Sequence, residues 1–238
     1  MIEGHTSRAF DGALAALHVR VIEMGGLVLE QVREAAAAYT EWDSKSAERV
    51  VERERTVNAY ESRLDAEQLT LIARRQPMAV DLRAIIAMSR AVAELERIGD
   101  ESKKIARAAL GRGNRPGAAT TRDARHLGRL AVSLLRLALD ALDRIDATLA
   151  AEVIARDRDL DTEYAAGLRR LLTRAMEDPR NVDVTLEAAF VLKSLERIGD
   201  HARNLARHVQ SIGRESPHLV PPGEPASSPA PDQATRTS

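Results

Sequence analysis

Leu95-Glu96-Arg97-Ile98-Gly99-Asp100 returns unchanged, 100 positions later, as Leu195-Glu196-Arg197-Ile198-Gly199-Asp200. Chance does not write six consecutive identities twice in 238 residues. The echo continues where Ile105-Ala106-Arg107 is answered by Leu205-Ala206-Arg207. The chain is therefore read as a tandem duplication, and whatever one half folds into, the other half must fold into as well.

Periodicity sets the fold class. Leu14, Leu17, Val21, Met24, Val28 and Val32 recur every three or four residues, the stripe of an amphipathic helix. The same pattern predicts six long helices: about Arg8–Tyr39, a second to Arg75, Met78–Gly111, a fourth to Ile145, a fifth to Asp178 and Val182–Ile212. Asp43 or Ser44, Thr120 or Thr121, and Asp146 are candidate N-caps. Gln76-Pro77 ends the second helix, because proline cannot continue a helix interior. Tyr39 and Trp42 are read as stapling the first turn. Few aromatic residues (3%) and an excess of Ala, Leu, Arg and Glu agree with an all-α chain.

Short turns force neighbouring helices to run antiparallel, so each half is expected to be a three-helix bundle. The break at Gly111-Arg112-Gly113-Asn114-Arg115-Pro116-Gly117 separates them. The organisation expected is a first repeat over residues 1–112, a linker over 113–119, a second repeat over 120–213, and a disordered Pro-rich tail over 214–238.

Charge and composition exclude several functions. With 35 basic and 36 acidic residues the net charge is −1, which is no nucleic-acid footprint. There are no cysteines, so disulfides and thiolate metal sites are ruled out. No apolar run is expected to approach the length of a membrane span, and a cytoplasmic location is expected. No Walker-type phosphate loop occurs, and the serines and threonines lack a His/Asp partner pattern, so nucleotide binding and nucleophilic catalysis find no support.

The repeated hexapeptide carries the candidate chemistry. Leu195, Ile198, Ala202, Leu205, Val209 and Ile212 form a core-facing seam, and Glu196 and Asp200, at i and i+4, fall together on the other side. Val92, Leu95, Ser102 and Ile105 repeat the seam, with Glu96 and Asp100 outside. Like charges at this spacing repel, and a mid-helix glycine costs about 1 kcal/mol against alanine. Both penalties are retained twice, and Gly99 and Gly199 mark where another helix comes close. On the fifth helix Asp157 and Asp161 make a further i, i+4 pair. Aligning the halves through Val51 and Val153 lays Glu54 over Asp157 and Asn58 over Asp161. Asp157, Asp161, Glu196 and Asp200 in the second half, and Glu54, Asn58, Glu96 and Asp100 in the first, offer oxygen sets suited to hard or borderline cations. His201 and its counterpart Glu101 stand at the edges of these sets.

The hexapeptide followed by Ile/Leu-Ala-Arg in both halves, together with Gln76-Pro77-Met78-Ala79-Val80-Asp81-Leu82-Arg83, resembles the PhoU family over about residues 6–213. The resemblance implies two three-helix bundles related by a pseudo-twofold axis, with acid-xxx-Asp motifs that hold metal clusters in some members. It implies metal ligands at Glu54, Glu96, Asp100, Asp157, Asp161, Glu196 and Asp200, the ion being iron, zinc, manganese or magnesium. Asn58 stands where the family usually has an acid, so the first site is expected to be the weaker. The implied role is a cytoplasmic regulator and not an enzyme. It would couple the high-affinity phosphate ABC transporter, through its ATPase and permease subunits, to a sensor histidine kinase. It would repress the phosphate-starvation response and restrain uptake when phosphate is plentiful, reaching the membrane only through these partners. A homodimer is the expected assembly.

Two other readings stand beside it. A carboxylate-metal enzyme of ferritin type would need Glu-x-x-His pairs, but glycine follows Glu96 and Glu196 at the third position. A metal-free helical scaffold would need only the Arg/Glu pairing.

Overall fold

The stretches of helical periodicity become six helices: α1 (Glu3–Glu41), α2 (Ser44–Arg75), α3 (Ala79–Leu110), α4 (Ala118–Arg144), α5 (Ala147–Glu177) and α6 (Val182–Glu215). The computed structural model describes residues 3–75, 79–111, 115–178, 180 and 182–215. Gln76-Pro77, the centre of the interrepeat linker and the tail from residue 216 on lie outside the described residues; Arg214 and Glu215, expected in the tail, belong to α6.

The duplication is visible at the turns. Trp42 and Ile145 end α1 and α4 in the left-handed conformation, with φ of 61° and 50°. The next residue is an aspartate each time. Asp43 Oδ1 accepts from the backbone N–H of Lys45 (3.0 Å) and Ser46 (3.3 Å), and Asp146 Oδ1 from Thr148 (2.7 Å) and Leu149 (3.1 Å). Left-handed backbone costs a non-glycine residue about 1–2 kcal/mol. Burial of Ile145 offsets this in the second turn, and in the first the Trp42 ring meets Tyr39 edge-on, with centroids 6.2 Å apart.

The cap expected of Thr120 or Thr121 is not made. α4 begins earlier, at Ala118, behind Gly117, which offers no side-chain cap. The threonines lie inside the first turns and bond elsewhere: Thr121 Oγ1 donates to the Pro116 carbonyl (3.3 Å), and Thr120 Oγ1 accepts from Arg174 (3.2 Å).

Each repeat packs its three helices on one another. The repeats then join through α3 against α6 and α1 against α4. One continuous core runs through all six helices, from Leu17, Met24 and Val28 on α1 to Leu195, Ile198 and Leu205 on α6. The predicted seams are buried from Val92 to Ile105 and from Leu195 to Val209, Ser102 included, and the burial of Ile212 lies outside what is described; the Ser102 hydroxyl is satisfied by the Ile98 carbonyl at 2.9 Å. Within α1, the stretch Phe10–Glu41 is long and apolar enough by length and composition to cross a membrane, which corrects the expectation that no such run exists. Its stripe is buried against α2, α3 and α4, and a core helix has the same composition as a span.

Candidate metal centre

Packing of α2 on α3 puts Glu54 beside Gly99. Glu54 is 1% exposed, and a Cβ at position 99 would lie 3.0 Å from its Oε2 and 3.3 Å from Val57 Cγ1. The glycine is thus the opening that admits an acid of the neighbouring helix. Gln31 of α1 donates to Glu54 Oε2 (2.6 Å) and to the Gly99 carbonyl (3.3 Å), fixing the carboxylate against α3. Glu54 Oε1 is buried without a hydrogen-bond partner.

The Glu54 carboxylate belongs to a cluster. Glu54, Glu96 and Asp100 each offer a carboxylate oxygen within 4.8 Å of the others. Burial pushes the Glu54 carboxyl above the usual range. The Gln31 hydrogen bond opposes this, while Asp100 and Glu96 add to it. Burial also raises Glu96, reinforced by Asp100 and Glu61. Acids held together against their own repulsion are a ready cation site, because a bound cation removes both the repulsion and the unsatisfied oxygen. The donor set is of the kind that suits a hard or borderline divalent ion, which Glu54, Glu96 and Asp100 would hold.

Asn58 is exposed and contributes no charge, its carbonyl accepting from Ser62 Oγ (3.0 Å). An acid the sequence reading missed stands nearby. Burial raises the Glu61 carboxyl, as do the charges of Asp65, Asp100 and Glu54. Glu61 lies seven residues, two turns, beyond Glu54, and that spacing was the available signal.

The second repeat keeps the framework and neutralises it. Asp157 is 1% exposed, with Oδ1 unpartnered, and a Cβ at Gly199 would come within 3.4 Å of that oxygen and overlap Leu160. Arg203 donates to Asp157 Oδ2 and, at 2.6 Å, to Asp200 Oδ1. Burial raises the Asp157 carboxyl in spite of this guanidinium. Lys193 holds both oxygens of Glu196 (2.7 and 2.6 Å), and Asp161 is exposed. Where the second repeat has Arg203, the first has Lys103, whose shorter ammonium reaches only Asp100, at 3.5 Å. The structure brings Glu54, Glu96 and Asp100 together; in the second repeat Arg203 bridges Asp157 and Asp200, Lys193 holds Glu196, and Asp161 stands exposed. The geometry favours the first repeat, although Asn58 had pointed to the second.

His201 and Glu101 face the seam between the repeats, away from the acid clusters. His201 Nδ1 lies 2.7 Å from Glu94 Oε2, across the α3–α6 contact. Glu101 is buried between Lys104 (2.9 Å) and Arg197 (3.2 Å). Burial pushes Glu94 up, but hydrogen bonds from His201 and Asn204 and the charges of His201 and Arg97 leave it below the usual range.

Comparison with known proteins agrees with this architecture. The PhoU domain matches the chain twice, over residues 21–109 and 124–209. The chain is 44% identical over 208 residues to a phosphate-specific transport system accessory protein PhoU homolog of Pseudomonas putida, covering 86% of this chain and 80% of that one. It is 37% identical to the phosphate-specific transport system accessory protein PhoU of Escherichia coli, covering 86% and 85%. The crystal structure of PhoU from Pseudomonas aeruginosa superposes with a TM-score of 0.82 at 42% identity, over 86% of this chain and 99% of that one. The phosphate transport system regulatory protein PhoU from Streptococcus pneumoniae gives 0.78 at 25% identity, over 89% and 99%. With the domain present in both repeats and relatives of this identity along most of its length, the chain belongs to the PhoU family.

Proposed function

We propose that this chain is an accessory and regulatory protein of phosphate transport. It acts as an adaptor between the high-affinity phosphate ABC transporter and a sensor histidine kinase. It represses the phosphate-starvation response and restrains uptake when phosphate is plentiful. Support for the transport role comes from relatives named as accessory or regulatory proteins of such systems. On this reading it works in the cytoplasm as a homodimer, meets the membrane through the transporter, and is not an enzyme.

The observation that carries the site is the buried Glu54, with one carboxylate oxygen unpartnered, gathered with Glu96 and Asp100 into one cluster of acids. A metal ion there, iron, zinc, manganese or magnesium, shapes the surface of α2 and α3. Exposed apolar residues lie in register with the acids. Leu172 is eleven residues beyond Asp161 on α5, and Leu186 fourteen before Asp200 on α6, in each case on the same face. With Met176 at 84% exposure, they offer contact area to a partner. In the second repeat, Arg203 already occupies the space between Asp157 and Asp200, which favours a metal-free reading of that half.

Metal content by plasma mass spectrometry tests the site. The wild type should carry stoichiometric metal. Glu96→Gln with Asp100→Asn should lose most of it and stay folded, whereas Glu196→Gln with Asp200→Asn should lose less. A wild type that stays empty after reloading would leave these acids as a partner-binding face. For the adaptor role, a phosphate-starvation reporter should be derepressed on deletion of the gene. Repression that persists without both transporter and kinase would refute it.

A further inference from the structure

The α1–α4 contact leaves a groove of about 440 Å³, and none of the clustered acids lines it. Its rim is basic: Arg33 projects from α1, and Arg125, Arg129 and Arg136 from α4. Arg33 is held by Glu30 (2.6 Å). The three α4 arginines are exposed and make no hydrogen bond or ion pair with the described residues. Glu41 is the acid on the wall. In a chain whose charges otherwise balance, this is a local excess of uncompensated guanidinium. The floor is apolar and low. Ala36, Gly128 and Val132 line it, and a Cβ at Gly128 would meet Ala36 Cβ at 3.0 Å, so the two helices cross nearly backbone to backbone.

Shape and charge select an occupant. Arg125 to Arg136 spans eleven residues, about 16 Å along the axis, in steps of one and two turns. A helix lying along α4 repeats its own side chains at the same pitch, so carboxylates on successive turns meet the arginines, and small apolar residues beside them cover the floor. An inorganic polyanion would use the arginines and gain nothing from Ala36 and Val132. We infer that the α1–α4 groove docks an acidic amphipathic helix of a partner protein, with Arg125, Arg129 and Arg136 pairing its carboxylates and Val132 seating its apolar edge.

The test uses the full chain and a labelled 18-residue designed helix with Glu at i, i+4, i+7 and i+11 flanked by Ala and Leu, read by fluorescence anisotropy. Its Lys-for-Glu counterpart, inorganic polyphosphate and anionic phosphatidylserine vesicles are measured beside it. The acidic helix should bind the wild type, weaken as salt rises, and weaken at least tenfold in Arg125→Glu/Arg129→Glu. Val132→Asp should weaken it several-fold, and the charge-reversed protein should prefer the Lys helix. Circular dichroism and metal content should match the wild type in all variants, which separates this groove from the metal site. Arg136→Glu alone repeats the measurement if the double variant does not fold. The proposal is overturned if the acidic helix binds no better than the Lys helix or is indifferent to the arginines. It is equally overturned if polyphosphate or vesicles bind more tightly than the acidic helix.

Discussion

Glu54 of α2 rests over Gly99 of α3, its carboxylate 3.0 Å from where a side chain at 99 would begin. The second repeat has the same relation between Asp157 and Gly199, but there Leu160 is the closer obstacle. The two alanine substitutions should therefore differ. Gly99→Ala gains up to about 1 kcal/mol of helix propensity, which offsets the strain on Glu54 Oε2 and on its hydrogen bond from Gln31. Its stability should change by less than about 1 kcal/mol while metal content falls. Gly199→Ala must displace a core leucine, and overpacking costs about 1–3 kcal/mol. Urea unfolding beside metal analysis checks both; a Gly99→Ala protein with full metal would remove Glu54 from the site.

Arg203 governs the second repeat. Its removal leaves Asp157 buried without its cation, at a cost of about 1–3 kcal/mol. Arg203→Met should accordingly lower the unfolding midpoint of the metal-free protein. It should also release Asp157 and Asp200 to bind a divalent ion, so that added Mn²⁺ restores part of the loss, which it does not do for the wild type's second repeat. Lys103→Met, which removes a 3.5 Å pair on a half-exposed acid, should cost under about 1 kcal/mol. Equal losses in the two variants, with no rescue by metal, would show that Arg203 is only a structural brace.

The contrast between Arg203 and Lys103 also marks what the sequence could and could not reveal. Spacing placed Glu96, Asp100, Glu196 and Asp200 on one face, and the mid-helix Gly99 and Gly199 announced a close neighbour. Asp146 was legible as a cap because the side-chain acceptor and the following N–H groups are local. Periodicity says which face a residue occupies and nothing of which partner it takes. Arg203 has Asp200 at i−3, a helical neighbour, yet it also spans to Asp157, 46 residues away. Glu94 reads as a surface acid until α6 brings His201 against it from 107 residues away. Glu61 stands at i+7 from Glu54 and shares its face, a spacing that the i, i+4 pattern through Asn58 does not select.

The buried acids should make the metal-free protein lose stability as pH rises. The carboxyls of Glu54, Glu96 and Asp157 are raised, chiefly by burial. The native state thus keeps protons that the unfolded chain has released. Between the ordinary carboxylate value, about pH 4, and the raised ones, the folded protein binds more protons and loses stability with increasing pH. Glu54→Gln removes one such group. It should stabilise the metal-free protein at neutral pH by about 1 kcal/mol, some 2–4 °C in Tm, while weakening metal binding. Saturating Mn²⁺ should reverse the slope for the wild type, since the ion takes the deprotonated acids. Wild-type and Glu54→Gln proteins whose stabilities run parallel over that window without metal would contradict the raised Glu54 carboxyl, and the comparison cancels the opposite slope of His18 and His208, which burial lowers.

The His201–Glu94 contact crosses from one repeat to the other, beside the Arg197–Glu101 pair, and its energetics distinguish a structural histidine from a ligand. Glu94 is buried on α3 and takes a 2.7 Å hydrogen bond to His201 Nδ1, with Asn204 at 3.5 Å and His208 Nε2 at 4.0 Å. Truncating His201 strips a buried carboxylate of its shortest bond, so His201→Ala should cost about 1–3 kcal/mol. Glu94→Ala removes the same bond from the other side, and the double variant should lose less than the sum, with a coupling of about 0.5–3 kcal/mol. Neither change touches Glu54, Glu96 or Asp100, so metal content should stay at the wild-type level in all three proteins. Additive losses would show that the contact carries no specific energy, and a fall in metal content on His201→Ala alone would place the imidazole on the acid cluster of its own helix.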